Sequence, residues 1–199
     1  MKILLVGASG TLGRAVADEL GRDHQILSAG RQHGDFNVDL RDDASVTALF
    51  AATGKLDAII ATTGNVHFGP LSEMTPAQFE LGLQDKLLGQ VRLALLGQHH
   101  LNDRGSITLT TGILSEEPIR DGSNATAVNA AVEGFVRAAA CELSRGLRIN
   151  AVSPNALSES WDAYRSYFNG FEPVPAARAA LAYRRSVEGV TSGRVFKVW

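Results

Sequence analysis

The chain holds a single cysteine, Cys141, among 199 residues. One thiol excludes an internal disulfide and fits a reducing compartment. Neither charge is in surplus: 19 Lys and Arg stand against 21 Asp and Glu, a formal net charge of −2. That balance gives no general attraction to nucleic acid or to an anionic membrane. No run approaches the ~20 apolar residues of a membrane span, and the stretch after Met1-Lys2 is too short for a secretory signal. Repeats, low-complexity tracts and linkers are absent too. The five histidines form no metal set, because His99 and His100 are adjacent and must diverge on a helix. These absences lead us to expect one cytoplasmic domain, long enough to bury a sizeable core.

What is present begins at the first residues. Lys2-Ile3-Leu4-Leu5-Val6 runs into Gly7-Ala8-Ser9-Gly10-Thr11-Leu12-Gly13, and Ala15–Leu20 then reads as helix. A strand here feeds a helix through a turn too tight for side chains. Backbone N–H groups and the positive end of the helix dipole then face an anion. Glycines at this spacing also occur in ordinary strand-turn-helix corners. Their place between a strand and a helix favours a phosphate cradle.

Short β-rich runs alternate with helical stretches, the pattern of an α/β, doubly wound parallel sheet. The expected strands are Lys2–Val6, Gln25–Ala29, Asp35–Val38, Asp57–Ala61, Ser106–Thr110, Arg148–Val152 and Arg194–Val198. Thr75-Pro76-Ala77-Gln78 has the form of a capping box with proline at the first helical position. It predicts a long helix toward His100. A second, Ala-rich helix should run from about Asn124 to Ser144. Between Ala29 and Asp35 no helix fits, so that crossover is abbreviated. The architecture predicted is a Rossmann-type, three-layer α/β/α domain with about seven strands.

In such sheets the ligand lies beyond the carboxyl ends of the strands. The second strand ends at Gly30-Arg31. A carboxylate there would hold free ribose hydroxyls, whereas an arginine suits a 2′-phosphate through a charge-assisted fork. No acid stands at this turn, and Gln32 and His33 add donors, so NADP(H) is favoured over NAD(H). The plainer reading of Arg31 is a solvated loop side chain. After the third strand, Asp39 could accept from an adenine amino group while Leu40 packs its ring. Helix capping is the other reading, a task Asp42 or Asp43 could do as well. Ala61-Thr62-Thr63-Gly64 offers small residues that let a ribose approach the backbone. Within Thr108–Gly112 only Thr111, at the strand's end, is a site candidate.

Together these residues resemble the short-chain dehydrogenase/reductase family over nearly the whole chain. Asp39-Leu40 looks like the family's Asp-Leu/Val after its third strand, and Ala61–Gly64 stands where its Asn-Asn-Ala-Gly stands. Arg148-Ile149-Asn150-Ala151-Val152-Ser153-Pro154 is close to Arg-Val-Asn-x-Val-x-Pro-Gly, the most specific match. The three-glycine spacing is nearer the family's atypical and extended branches. The resemblance implies a nicotinamide cofactor held by Gly7, Ser9, Gly10, Thr11, Leu12 and Gly13, with Thr62, Thr63, Gly64 and Pro154 beside it. It also implies a small-molecule substrate covered by residues 155–190. Two long crossover helices of this family commonly pair between subunits. The small residues of Ala125–Ala140 suit such pairing, which points to a homodimer or homotetramer.

The family's catalytic positions are altered. Its Tyr-x-x-x-Lys precedes Ala-Ala-Val-x-Gly, which here reads Ala130-Ala131-Val132-Glu133-Gly134. That puts Asn129 at the lysine position and Ala125 at the tyrosine position. The family's serine falls on Gly112, with Thr111 just before it. Alanine has no proton to donate, and losing a positioned general acid typically costs ~10²–10⁴-fold. The family's supporting Asn, three residues before a Gly on the preceding long helix, corresponds to Lys86 ahead of Gly89. Lysine and asparagine have thus exchanged places between two facing helices. Lys86 shares a helical face with Gly82 and Gly89. It is expected to enter the cleft and hold the nicotinamide ribose, with Asn129 bonded beside it; the plainer reading is a surface lysine.

Thr111, Lys86 and Asn129 are therefore the candidate catalytic set. For the missing phenol, His67, Tyr164 and Tyr167 offer protons. His67 also reads as an ordinary loop histidine, and Trp161, Tyr164, Phe168 and Phe171 fall at the helical spacing of core or lid packing. Cys141 reads as packing within the Ala-rich helix. The expected activity is NADP(H)-dependent reduction of a small carbonyl compound. The alternative is a non-catalytic NADP(H)-binding protein that senses cofactor state. An epimerase-like enzyme is a third reading, for which the C-terminal region leaves little room.

Overall fold

A computed structural model describes residues 1–199. Seven parallel strands form one sheet in the order β3-β2-β1-β4-β5-β6-β7. They are β1 Lys2–Val6, β2 Gln25–Gly30, β3 Phe36–Asn37, β4 Leu56–Ala61, β5 Leu101–Thr110, β6 Arg148–Pro154 and β7 Val195–Val198. In β1, Leu4 pairs with Leu27 on one side and with Ile59 on the other. Successive side chains of a strand point to opposite faces, so a central strand must be apolar throughout. Ile3 and Leu5 pack with Val16, Leu20, Ala179 and Tyr183. Leu4 and Val6 pack on the other face with Val46, Phe50, Leu93 and Val132. Each such fully buried side chain contributes about 1.5–3 kcal/mol of transfer free energy.

The helices follow from those two faces. Thr11–Leu20 (α1) covers one face, Asp43–Thr53 (α2) the other. Pro76–Gly82 (α3), a π-helical turn Leu83–Leu88 and Gly89–Gly97 (α4) form one interrupted rod. Ser123–Glu142 (α5) packs beside it, Trp161–Tyr164 (α6) belongs to the covering segment, and Ala176–Glu188 (α7) lies against α1. No helix is long and apolar enough to cross a membrane. The strand order reverses between β1 and β4, which opens a crevice at their carboxyl ends.

Several boundaries differ from expectation for local reasons. Asp35 lies outside β3 because its carboxylate accepts from Ser28 N and Ser28 Oγ, both at 2.8 Å, and so closes the tight β2–β3 connection. The strand expected at Ser106 begins at Leu101. The capping box forms as read, with Gln78 N donating to Thr75 Oγ1 at 3.2 Å and Thr75 N to Gln78 Oε1 at 2.8 Å. The helix it starts is not uniform, since the π turn intervenes and α4 ends at Gly97. α5 stops at Glu142, where Leu143 turns extended. Cys141 is exposed rather than packed.

Candidate functional site

The crevice is a cavity of about 760 Å³ running from the Arg31 turn across β1 to the end of β4. Gly7 and Gly10 give it a floor of bare backbone, beside Ser9. Gly7 sits at φ +92°, and a Cβ there would run into the Thr63 methyl group. A Cβ at Gly13 would collide with the Gly7 carbonyl oxygen, so only glycine lets α1 rest on the turn. Gly10 caps α1 in an extended conformation without a side-chain cap, and no acid stands in the first turn. The leading N–H groups of α1, those of Thr11, Leu12 and Gly13, are thus left to an anion. These three residues lie in that turn rather than in the cavity wall.

At the far end, Arg31 is exposed and its Nη2 lies 3.7 Å from Asp85 Oδ2. Asp85 also accepts from Asn65 Nδ2 at 2.7 Å. The pair keeps the guanidinium turned to the cleft; as a surface ion pair it contributes little stability. Asp39 lines the cavity, but its carboxylate is committed to Arg41, whose Nε and Nη2 donate at 3.0 and 2.7 Å. Those bonds hold the Asp39 carboxyl down at about 2. An adenine amino group there would share this carboxylate with the cation two residues on, the nearer and stronger partner. Capping of α2 falls to Asp42, which accepts from Ala44 N at 2.9 Å. Leu40 is buried beneath the cleft, and a Cβ at Gly89 would approach its Cβ to 3.1 Å. Thr62, Thr63 and Gly64 form the wall above β4.

A second cavity of about 310 Å³ adjoins the first and shares Thr62, Gly64 and Tyr164 with it. Lys86, Thr111, Asn129 and Pro154 meet there. Lys86 comes from the π turn, a widened helical coil that recurs at functional sites. Gly64, at φ +128°, lets the chain leaving β4 cross directly over it; a Cβ there would sit 2.9 Å from Lys86 Cα. The ammonium donates to the Thr111 carbonyl at 3.2 Å and pairs with no carboxylate. Desolvation by burial lowers its pKa to about 8. The surface-lysine reading does not hold.

Two further expectations are corrected here. Thr111 is buried, and its single hydroxyl proton is shared between Asn129 O at 3.0 Å and Glu133 Oε1 at 3.1 Å. It is committed to α5, because the buried Glu133 carboxylate needs donors; Ser115 Oγ supplies another at 2.6 Å. The Thr111 carbonyl, not its hydroxyl, serves Lys86. Asn129 lines the same pocket without bonding to Lys86, and its buried Oδ1 has no partner. Ala125, fully buried, lines the same wall and brings no polar group to it. His67 lies outside this wall, with its Nε2 against Gly69 and its N–H on Asn124 Oδ1. Tyr167 packs tilted against Phe68 with ring centroids 5.3 Å apart. Tyr164 stands over a third exposed where the two cavities meet. Sequence reasoning missed Arg41, Asp85 and Glu133; only the short Asp39–Arg41 spacing could have signalled one of them.

A glycine turn under an uncapped helix at the switch point of a parallel sheet defines a dinucleotide-binding fold of Rossmann type. The family model described as enoyl-(acyl carrier protein) reductase matches residues 8–192. Among solved structures, the Listeria innocua protein lin1944 is 48% identical over 100% of both chains, with a TM-score of 0.99. A small-chain dehydrogenase in complex with NADPH is 27% identical, covering 100% of this chain and 96% of its own, with a TM-score of 0.89. A Mycobacterium tuberculosis oxidoreductase named NAD-dependent is 25% identical over 189 residues, 85% of this chain and 69% of that protein. The chain belongs to the short-chain dehydrogenase/reductase family, oxidoreductases that use nicotinamide cofactors.

Proposed function

We propose that the protein is an NADP(H)-dependent reductase of small carbonyl compounds. One observation carries this reading: an ammonium without a counter-ion lines a pocket continuous with the dinucleotide cleft. The cleft has the volume of a cofactor site, and its bare α1 N-terminus, its guanidinium and its small β4 exit suit a nicotinamide dinucleotide. In this reading the N–H groups of Thr11, Leu12 and Gly13 hold the pyrophosphate, with Gly7, Ser9 and Gly10 beneath it. Arg31 leaves Asp85 for the 2′-phosphate. Leu40 lies below the adenine, and Thr62, Thr63 and Gly64 border the ribose. Asn129 and Pro154 border the nicotinamide end. Bound NADPH supplies a hydride to the carbonyl carbon. Lys86 draws the carbonyl oxygen by its charge, Thr111 O fixes the ammonium, and the apolar wall of Ile113, Leu114 and Phe168 excludes water.

An apolar groove between α4 and α5, lined by Ala94, Leu95, Phe135 and Ala139, supports pairing of two copies. Leu95 is half exposed there. Light scattering should give a dimer or tetramer mass. The sensor reading is supported by Ala125, which leaves α5 without an acid. Turnover separates the two. NADPH consumption that requires an added aldehyde supports the reductase; tight NADPH binding with no consumption across an aldehyde and ketone panel supports the sensor.

A further inference from the structure

We propose that Lys86 is itself the proton donor of the reduction, the ammonium standing in for the phenol that Ala125 lacks. This rests on the reductase reading above. The polar groups of the reaction pocket leave little choice. Thr111 gives its hydroxyl to Asn129 O and Glu133, and Thr62 gives its own to Val6 O at 3.1 Å. Asn155 Nδ2 is spent on Glu172 O at 2.8 Å. Amides are too weakly acidic for the task, and so is the Ser160 hydroxyl at the pocket. Lys86 and Tyr164 remain.

Geometry separates these two. Lys86 is held from three sides: by its own π turn, by the Gly64 backbone pressed on its stem, and by the Thr111 carbonyl. An ammonium has three donors, and only that one bond is made, so two N–H groups are free for the pocket. Gly112 and Ala125 carry no polar side chain into the same pocket. Tyr164 rides on the four-residue α6, over a third exposed, its ring edge-on to Phe68 and Phe168. It covers the pocket; it is not anchored in it.

The carbonyl carbon gains a C–H bond and the electron pair of the hydride, so the C–O π pair moves onto oxygen. Oxygen takes a proton from the Lys86 ammonium, an N–H bond breaks, and a neutral amine is left. Solvent entering beside Tyr164 returns the proton. The titratable groups around Lys86 are Asp85 beside it on the π turn, Glu133 on α5 behind Thr111, and Tyr164 on α6. Asp85 is turned to Asn65 and Arg31, and Glu133 to Ser115, Thr111 and Arg137. None neutralises the ammonium, and burial brings its pKa down to about 8, the range suited to an acid near neutral pH.

The test compares wild type with K86M, K86R and Y164F, using NADPH and para-nitrobenzaldehyde from about pH 6 to about pH 10. A second readout needs no cofactor: the side-chain nitrogen of Lys86 is titrated by NMR, its signal identified by its loss in K86M. We expect wild-type kcat/KM for NADPH, which reports the free protein, to fall as pH rises through about 8, matching the NMR midpoint. K86M should lose about 10²–10⁴-fold in kcat with less than about tenfold change in NADPH Kd. K86R should lose activity similarly and show no such pH step, since a guanidinium keeps its proton; it carries the test should K86M fail to bind NADPH. Y164F should retain the wild-type pH dependence. An active wild type whose K86R and K86M variants keep its rate, or a Lys86 midpoint near the ordinary 10.5, overturns the proposal alone. So does a Y164F variant that loses both rate and pH step. A wild type that binds NADPH but never consumes it overturns the reductase reading as well.

Discussion

The two ends of the crevice are built on opposite principles. At the cofactor end, backbone does the holding; Asp39, Thr62 and Arg31 have partners in Arg41, Val6 O and Asp85, and only the Thr63 hydroxyl is buried without one. At the reaction end, side chains from four distant segments converge, and several are unsatisfied. Lys86 makes one hydrogen bond and Asn129 Oδ1 makes none. Burying such groups costs free energy, so a fold selected only for stability would have paired them. The difference teaches where chemistry resides. The glycine turn is architecture that any dinucleotide fold needs, whereas the unpaired lysine and asparagine stand where stability alone would not leave them.

The comparison can be broken most severely at Gly13. In G13A the new Cβ meets the Gly7 carbonyl, so α1 must shift off the turn. Loss of about 2–3 kcal/mol in denaturant unfolding is expected, together with loss of nucleotide binding. A G13A protein as stable and as competent as wild type would show that the turn is not the constraint described. At the other end, K86M should spare the fold and remove turnover, which sharpens the contrast between architecture and chemistry. Its stability should also vary differently with pH. The folded pKa of about 8 lies below the ordinary 10.5, so between these values the unfolded chain binds more protons than the folded one. Lys86 therefore opposes folding below that window, and its penalty fades as pH rises across it. Wild-type stability minus that of K86M should climb from about pH 8 to pH 10.5; a flat difference would contradict the burial.

Smaller effects should follow elsewhere. R31A is expected to weaken NADPH binding about 10- to 100-fold and NADH binding less than about threefold, as suits loss of a charge-assisted fork. Equal losses in a titration calorimeter would remove the selectivity. T111V should cost about 1 kcal/mol in thermal unfolding, through the lost donor to Glu133, and should lower kcat far less than K86M does. A kcat loss equal to that of K86M would restore the Thr111 hydroxyl to the chemistry.

Legibility from sequence divides along the same line. The sheet, its seven strands and the glycine turn could be read because apolar runs and φ-permissive residues act locally. The Lys86–Asn129 exchange was readable only through the family's spacing, and its direction into the pocket came out as expected. What that reading could not supply was pairing: Asp39 chose Arg41, Thr111 chose Glu133, and Asn129 stayed apart from Lys86. Partner choice depends on distances between segments far apart in the chain. The π turn was hidden as well, since Leu83–Leu88 has the composition of ordinary helix.

The central claim is that the two ends form one working site, and nicotinamide fluorescence tests it most directly. The purified protein is titrated with NADPH and, separately, with NADH. Tight binding selective for NADPH is predicted, with nicotinamide emission altered by the pocket around Lys86. Failure to bind either nucleotide would contradict it, leaving the glycine turn as architecture alone.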